Sequence, residues 1–112
     1  MIHLYLDDWR SCPKGFALAR NGEECLLMLR ECDVDILSLD YELGPDQMNG
    51  GDVVALMVSE KLYPKQIYLH TSSSWGRKKM YEMLYDNMPA EVKVHNGPMP
   101  EALLRKVAAE SP

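Results

Sequence analysis

No segment of this chain approaches the roughly 20 uninterrupted apolar residues of a membrane-spanning helix, so no membrane partner is expected. Cysteine is sparse: Cys12, Cys25 and Cys32 are an odd set without C-x-x-C spacing, and neither a disulfide framework nor a thiolate metal motif can be read from them. Cys25 and Cys32 fall at i and i+7 of a helical pattern, which fits core packing. Basic residues are outnumbered, 12 Lys and Arg against 17 Asp and Glu for a formal net charge of −5. Proteins that grip duplex nucleic acid do so by neutralising phosphates, so no duplex DNA partner is expected. A phosphorylated small molecule or an RNA end needs only local positive charge, which Arg10, His70 and Arg77-Lys78-Lys79 can supply. The opening residues Met1 to Leu6 run straight into Asp7-Asp8 with no basic region and no small-residue cleavage site, which predicts a cytoplasmic protein. Internal repeats and low-complexity tracts are also missing.

What remains is ordinary globular composition, 46% apolar and 26% charged over 112 residues. That length holds one hydrophobic core, and a single domain over 1–112 is expected. Ile2 to Leu6 reads as a first strand with Asp7 and Asp8 at its carboxyl end. Trp9 to Gly15, punctuated by Pro13 and Gly15, reads as a loop, and Phe16 to Arg20 as a weaker edge strand. The link between these strands is shorter than parallel neighbours normally need. Either the second strand runs antiparallel or the loop wraps tightly, and the sequence leaves both open.

Asn21-Gly22-Glu23-Glu24 has the form of a helix cap, and Cys25, Met28, Leu29 and Cys32 then recur at helical spacing, predicting a helix from about Gly22 to Cys32. Val34 to Leu39 is a buried strand that closes on Asp40. Leu43 to Gly51 has loop composition. A helix over Asp52 to Leu62 stops before Pro64, which cannot continue it. Ile67 to Leu69 is a strand delivering His70-Thr71-Ser72-Ser73-Ser74 to its end. A helix from about Trp75 to Tyr85, a short strand Val92 to Val94, and a helix after Pro100 carrying Leu103, Leu104, Val107 and Ala108 complete the pattern. Strands alternating with helices predict an α/β fold with a mostly parallel sheet covered on both faces. Three polar clusters then share the carboxyl rim, where such sheets bind their ligands.

By itself Asp40 is a residue that ends a strand. Beside Asp7 and Asp8 it becomes more, because carboxylates converging on one crevice cannot all stay ionised unless a cation balances them. Mg²⁺ or another divalent cation fits, being a hard ion commonly held by carboxylates together with phosphate oxygens. Either a nucleophilic carboxylate or a directed water can then attack phosphorus. His70 is the candidate acid/base, imidazole being suited to proton transfer near neutral pH. Arg10 offers a fork of donors that matches phosphate oxygens. Arg77 is a candidate phosphate contact at a helix start, where backbone donors favour anions. Lys78 and Lys79 read as solvated charge, Asp52 as a helix cap, and His3 and His95 receive no role.

The layout resembles the receiver domains of two-component signalling: an acidic pair after the first strand (Asp7, Asp8), a phosphoacceptor place after the third (Asp40), and a hydroxyl place after the fourth (Thr71 or Ser72). Two features differ. Receivers carry a lysine at the end of the fifth strand, where this chain has Val94-His95-Asn96-Gly97-Pro98, and the first receiver helix is reduced or missing after Asp8. A nearer resemblance is to the cyclic-phosphate processing receiver domains, which look like L-D-D-x-R-x-x-P, S-L-D-x-D-L-G, T-G-x-D and H-S-x-N-x-x-G-R-x-x-M. Here stand Leu6 to Pro13, Ser38 to Gly44, Asn49 to Asp52 and His70 to Met80, with Glu42 in place of Asp, Thr71 in place of Ser and Ser73 in place of Asn. The resemblance spans roughly residues 2 to 85.

It implies a receiver-like, flavodoxin-like three-layer α/β sandwich on a mostly parallel five-stranded sheet. It also implies a role in binding or opening cyclic phosphates on nucleotides or RNA ends. In that reading Asp7, Asp8, Asp40 and Glu42 hold Mg²⁺, Asp40 and His70 are catalytic, and Arg10, Thr71, Ser72 and Arg77 bind the substrate. Two alternatives stay open: a stand-alone receiver phosphorylated on Asp40, and an inactive interaction module that keeps the fold.

Overall fold

The computed structural model describes residues 1–112. Five strands, β1 (Ile2–Leu6), β2 (Ala17–Ala19), β3 (Val34–Leu39), β4 (Gln66–Leu69) and β5 (Lys93–Val94), form one sheet in the order β2-β1-β3-β4-β5. Every neighbouring pair is parallel. This settles the direction of β2: it runs parallel to β1 although no helix lies between them. The loop wraps tightly, and its ends are tied where the Asp7 amide donates to the Ala19 carbonyl at 3.1 Å and the Phe16 amide to the Pro13 carbonyl at 3.2 Å. The helix that a receiver places after its first strand is absent.

Four helices follow, α1 (Gly22–Glu31), α2 (Gly50–Glu60), α3 (Ser74–Asn87) and α4 (Glu101–Glu110). Each of the first three opens on a polar cap, and α2 begins at Gly50, two residues before the expected Asp52, because its cap is Asn49. Asn21 accepts the Glu24 amide at 2.8 Å, and Ser73 accepts the Gly76 amide at 3.0 Å. Asn49 and Asp52 exchange reciprocal bonds of 2.9 and 3.0 Å. Such caps satisfy donors that helix geometry leaves without partners. Asp52 is therefore a capping residue. No helix is long and apolar enough to cross a membrane.

Side chains alternate across the sheet, so each face has its own character. Leu4, Leu6, Leu37, Leu39, Ile67 and Leu69, none with any exposed surface, form one face and pack with Cys25, Leu26 and Leu29 of α1, Val53, Val54 and Met57 of α2, and Met80 and Leu84 of α3. Burying leucine-sized side chains is worth about 2 kcal/mol each, which makes this face the principal source of stability. The opposite face carries Tyr5, Ile36 and Tyr68, covered by Met99, by Val107 of α4 and by Cys12 and Phe16 of the β1–β2 loop. With one receiver helix gone, a loop does part of the covering there. Aromatic rings with polar tips replace aliphatic residues on that side, and it is this side that leads to the polar rim.

Candidate functional site

Strand register lines up the rim. Tyr5, Ser38 and Tyr68 are consecutive partners across β1, β3 and β4, so the residues two positions further on, Asp7, Asp40 and His70, leave the sheet side by side on the same face. Asp8 follows Asp7 and turns to solvent. One oxygen each from Asp7, Asp8 and Asp40 lies within 4.8 Å of the others. Asp7 and Asp40 are buried, at 1% and 5% exposure, whereas Asp8 is exposed.

Asp7 is the hub. Its Oδ1 accepts the Trp9 and Arg10 amides at 2.8 and 2.9 Å, and its Oδ2 accepts Arg10 Nη1 at 2.9 Å and His70 Nε2 at 2.8 Å. A carboxylate offers about four acceptor positions, and all of Asp7's are taken. Burial alone pushes its carboxyl pKa up, but the two amides and the Arg10 and His70 side chains outweigh that and hold it to about 2. Asp7 is therefore an anion at any physiological pH.

The rest of the network follows from that charge. Facing an ionised carboxylate, His70 Nε2 carries the proton and donates it. The other ring nitrogen, Nδ1, lies 2.6 Å from Ser38 Oγ. In the neutral ring Nδ1 accepts the serine hydroxyl, which gives the wholly buried Ser38 a partner it otherwise lacks. The imidazole also stacks on Tyr5, with centroids 4.2 Å apart and planes within 4°. Burial of the ring drives the His70 pKa below its ordinary value, more strongly than Asp7 raises it. Both ring nitrogens are engaged within the protein, so His70 fixes Asp7 in this arrangement.

Arg10 is the remaining cation. Its Nη1 bridges Asp7 Oδ2 at 2.9 Å and Asp40 Oδ2 at 3.2 Å, and about a third of its side chain stays exposed. Asp40 takes one further bond, from the Tyr41 amide to Oδ1 at 2.8 Å. No hydrogen-bond partner is seen for Asp8.

The sequence profile of the cyclic-phosphate processing receiver domain matches residues 2–86 of this chain. The chain belongs to that family. No curated protein matches it. Among solved structures, the Francisella response regulator 1452 receiver domain superposes with a TM-score of 0.60 at 13% identity, covering 95% of this chain and 92% of that one. A fusion built on a yeast Spc42 trimeric coiled-coil segment superposes with a TM-score of 0.58 at 15% identity, covering 96% of this chain and 75% of the fusion. At such identities these likenesses establish the receiver fold alone, which is the expected flavodoxin-like arrangement.

The motifs of the cyclic-phosphate processing receivers now acquire physical content. The glycine of Asn49-Gly50 lets α2 begin against the backbone of Asp40: its amide donates to the Tyr41 carbonyl at 2.7 Å, and a Cβ there would collide with the Asp40 carbonyl oxygen. Gly76 lets α3 begin against the Tyr41 ring, which a Cβ would penetrate. Tyr41 is thus clamped between two helix starts and holds Asp40 through its amide. Ser73 stands in the asparagine position of the motif and caps α3; serine and asparagine are comparable caps, so this departure preserves the local structure. Thr71 Oγ1 accepts the Ser73 amide at 3.2 Å and shapes the turn before α3, while Ser72 is exposed on the rim.

Two expected site residues are not brought to the cluster. Glu42 is exposed and stands outside the group of three carboxylates, because Tyr41 and Leu43 on either side of it point into the core and turn it outward. Arg77 Nη1 donates to Asn96 Oδ1 at 3.0 Å and to its carbonyl at 3.4 Å, which ties α3 to the loop after β5. Sequence reasoning missed Ser38, Tyr5 and Tyr41. The first left a faint signal, a hydroxyl on the same side of β3 as Asp40 in an otherwise apolar run.

Proposed function

We propose that this chain binds and opens cyclic phosphates on nucleotides or RNA ends with the help of a divalent cation. The observation that supports this most directly is the rim itself, where three carboxylates bring one oxygen each within 4.8 Å of the others and Arg10 bonds two of them. The donor set suits Mg²⁺: it is all oxygen, two of the three carboxylates are locked in place, and the third is exposed and free of partners. Asp8 and Asp40 would hold the ion, with Asp7 joining through Oδ2 if Arg10 moves. Bound there, the cation would neutralise charge on phosphoryl oxygens and lower the pKa of a water.

The chain's own groups cover the rest of the chemistry. Arg10 offers its guanidinium to non-bridging phosphoryl oxygens, its reach set by a loop pinned to Asp7. Hydrolysis forms one P–O bond to water and breaks one to the ring oxygen, so a proton must leave the water and another must reach the ring oxygen. Asp40 is the buried carboxylate poised to accept the first. His70 can deliver the second only as the imidazolium, exchanging its Nε2 bond to Asp7 for one to the ring oxygen and returning to the neutral ring once that proton has gone. Incubation with a 2′,3′-cyclic nucleotide and Mg²⁺, followed by ³¹P NMR, tests the proposal: the ring-strained phosphorus signal should give way to a monoester. No conversion by the wild-type chain, or unaltered conversion by Asp8→Asn and His70→Gln, overturns it.

The Arg10 contact to Asp40 also supports a second reading, phosphorylation of Asp40, since it gives that carboxylate the cationic neighbour that receivers take from their fifth strand. Intact mass after incubation with a small phosphodonor separates the readings, because only the second leaves an Asp40-dependent phosphoryl adduct.

A further inference from the structure

Arg10 and a divalent cation claim the same atoms. The guanidinium already contacts Asp7 Oδ2 and Asp40 Oδ2 at 2.9 and 3.2 Å, and with His70 Nε2 also on Asp7 Oδ2 that oxygen has no free position. We infer that Arg10 is the resident counter-ion of the metal-free site, that metal binding expels its side chain, and that the expelled guanidinium then serves the anionic ligand. This rests on the proposed metal-dependent reading and adds an order of events to it: cation first, anion second.

Three features of the site support an exchange of this kind. The anions are fixed. Asp7 is held by two amides and His70, and Asp40 by the Tyr41 amide, so neither needs to move when its cation changes. The cation is mobile by comparison, because its guanidinium reaches both carboxylates through one nitrogen, Nη1, on a side chain about a third exposed. The Arg10 amide is separately anchored to Asp7 Oδ1, so the guanidinium can swing into solvent without disturbing the loop. Its neighbour Trp9 is 86% exposed and Ser11 is exposed, which leaves the way out unobstructed.

Charge balance gives the direction. Three carboxylates against one guanidinium leave a surplus of negative charge that draws in a divalent ion. An ion and a guanidinium pressed on the same oxygens repel each other, so the weaker, more exposed partner leaves. Once displaced, Arg10 stays tethered at the rim beside the ion. An anion arriving there meets both positive charges, so cation binding raises anion affinity, and by linkage the anion raises cation affinity by the same factor.

The test uses Mn²⁺ alone as probe, titrated by electron paramagnetic resonance at low ionic strength into the wild-type chain and into Arg10→Gln. Removing the competitor is expected to tighten Mn²⁺ binding about tenfold, the scale of one charge-assisted hydrogen bond at a partly solvated site. In the wild-type chain, ¹⁵N-resolved NMR of the Arg10 guanidinium supplies a readout that does not depend on any variant folding. Its slowly exchanging Nη–H signals should be present without metal and lost at saturating Mg²⁺. Equal or weaker Mn²⁺ binding by Arg10→Gln, or Nη–H signals that persist in Mg²⁺, overturns the exchange while leaving the metal site standing. Absence of Mn²⁺ binding in both chains overturns the metal-dependent reading itself and this inference with it.

Discussion

Asp7→Asn is the perturbation that bears most heavily on the rim. The carboxylate is buried and takes four hydrogen bonds, two from backbone amides and two from Arg10 and His70. A carboxyl held to about 2 in the folded chain against an ordinary 3.8 corresponds to about 2.5 kcal/mol of stability. The sign follows from the lowered value: the contribution is fully present above about pH 4 and is lost as pH falls toward 2, where the folded chain also takes up the proton. Asparagine keeps the shape but has one acceptor oxygen, and its amide group points donors at donors. Leaving partners of a buried charge unsatisfied adds to the loss, so the expected cost at pH 7 is about 3 kcal/mol or more. Urea unfolding in EDTA, from pH 8 down to pH 2.5, measures both quantities. The wild-type chain should lose about 1.5 kcal/mol between pH 5 and 2.5 that Asp7→Asn does not lose. If the variant lies within about 0.5 kcal/mol of wild type at pH 7 with an unchanged m-value, the hub assigned to Asp7 is wrong.

Because burial depresses the His70 pKa, the unfolded chain binds that proton first, and wild-type stability should decline as pH falls through the ordinary histidine range near 6.5. His70→Gln should lack this component, and an identical stability gap between wild type and variant at pH 8 and pH 5 would contradict it. Gly76→Ala drives a methyl into the Tyr41 ring, and thermal unfolding should register a loss of about 1 to 3 kcal/mol; an unchanged melting temperature would mean that Tyr41 is not clamped. At the α3 cap, Ser73→Ala should cost about 1 kcal/mol and Ser73→Asn only a few tenths, so equal losses in calorimetry would remove capping as the account of this position.

Much of this architecture could be read from local pattern. Asn21 sits immediately before a helical run, and Asp7, Asp40 and His70 immediately after apolar ones; such signals need only neighbours in sequence, whereas Asn49 and Ser73 have loop composition until the helices they cap are in place. The direction of β2 was not legible, because Pro13 and Gly15 mark a loop without fixing where its far end docks, and the tie from the Asp7 amide to Ala19 forms only in the fold. Ser38 was missed for a related reason. A serine in an apolar strand has no evident partner until the register of β3 against β4 brings His70 to it. Glu42 shows the opposite case: its type and its place in the motif suit a ligand, but the inward turns of Tyr41 and Leu43 leave it exposed and outside the group of three carboxylates.

The missing helix and the missing lysine are best understood together. With no helix after β1, residues 9–16 must cross the rim and then cover the sheet face themselves, as Cys12 and Phe16 do against Tyr5 and its neighbours. That path carries Arg10 over the carboxyl ends of β1 and β3, within bonding distance of Asp7 and Asp40. A helix in the same place would carry the chain away from the rim within its first turn. β5, for its part, is only two residues long, and its rim offers His95 and Asn96, with Asn96 spent on holding Arg77. The cation that balances Asp40 thus arrives from the first loop instead of the last strand. It arrives as an arginine that bridges two carboxylates and keeps about a third of its side chain exposed. The loop that stands in place of that helix therefore gives the carboxylate at the end of β3 its cation, Arg10.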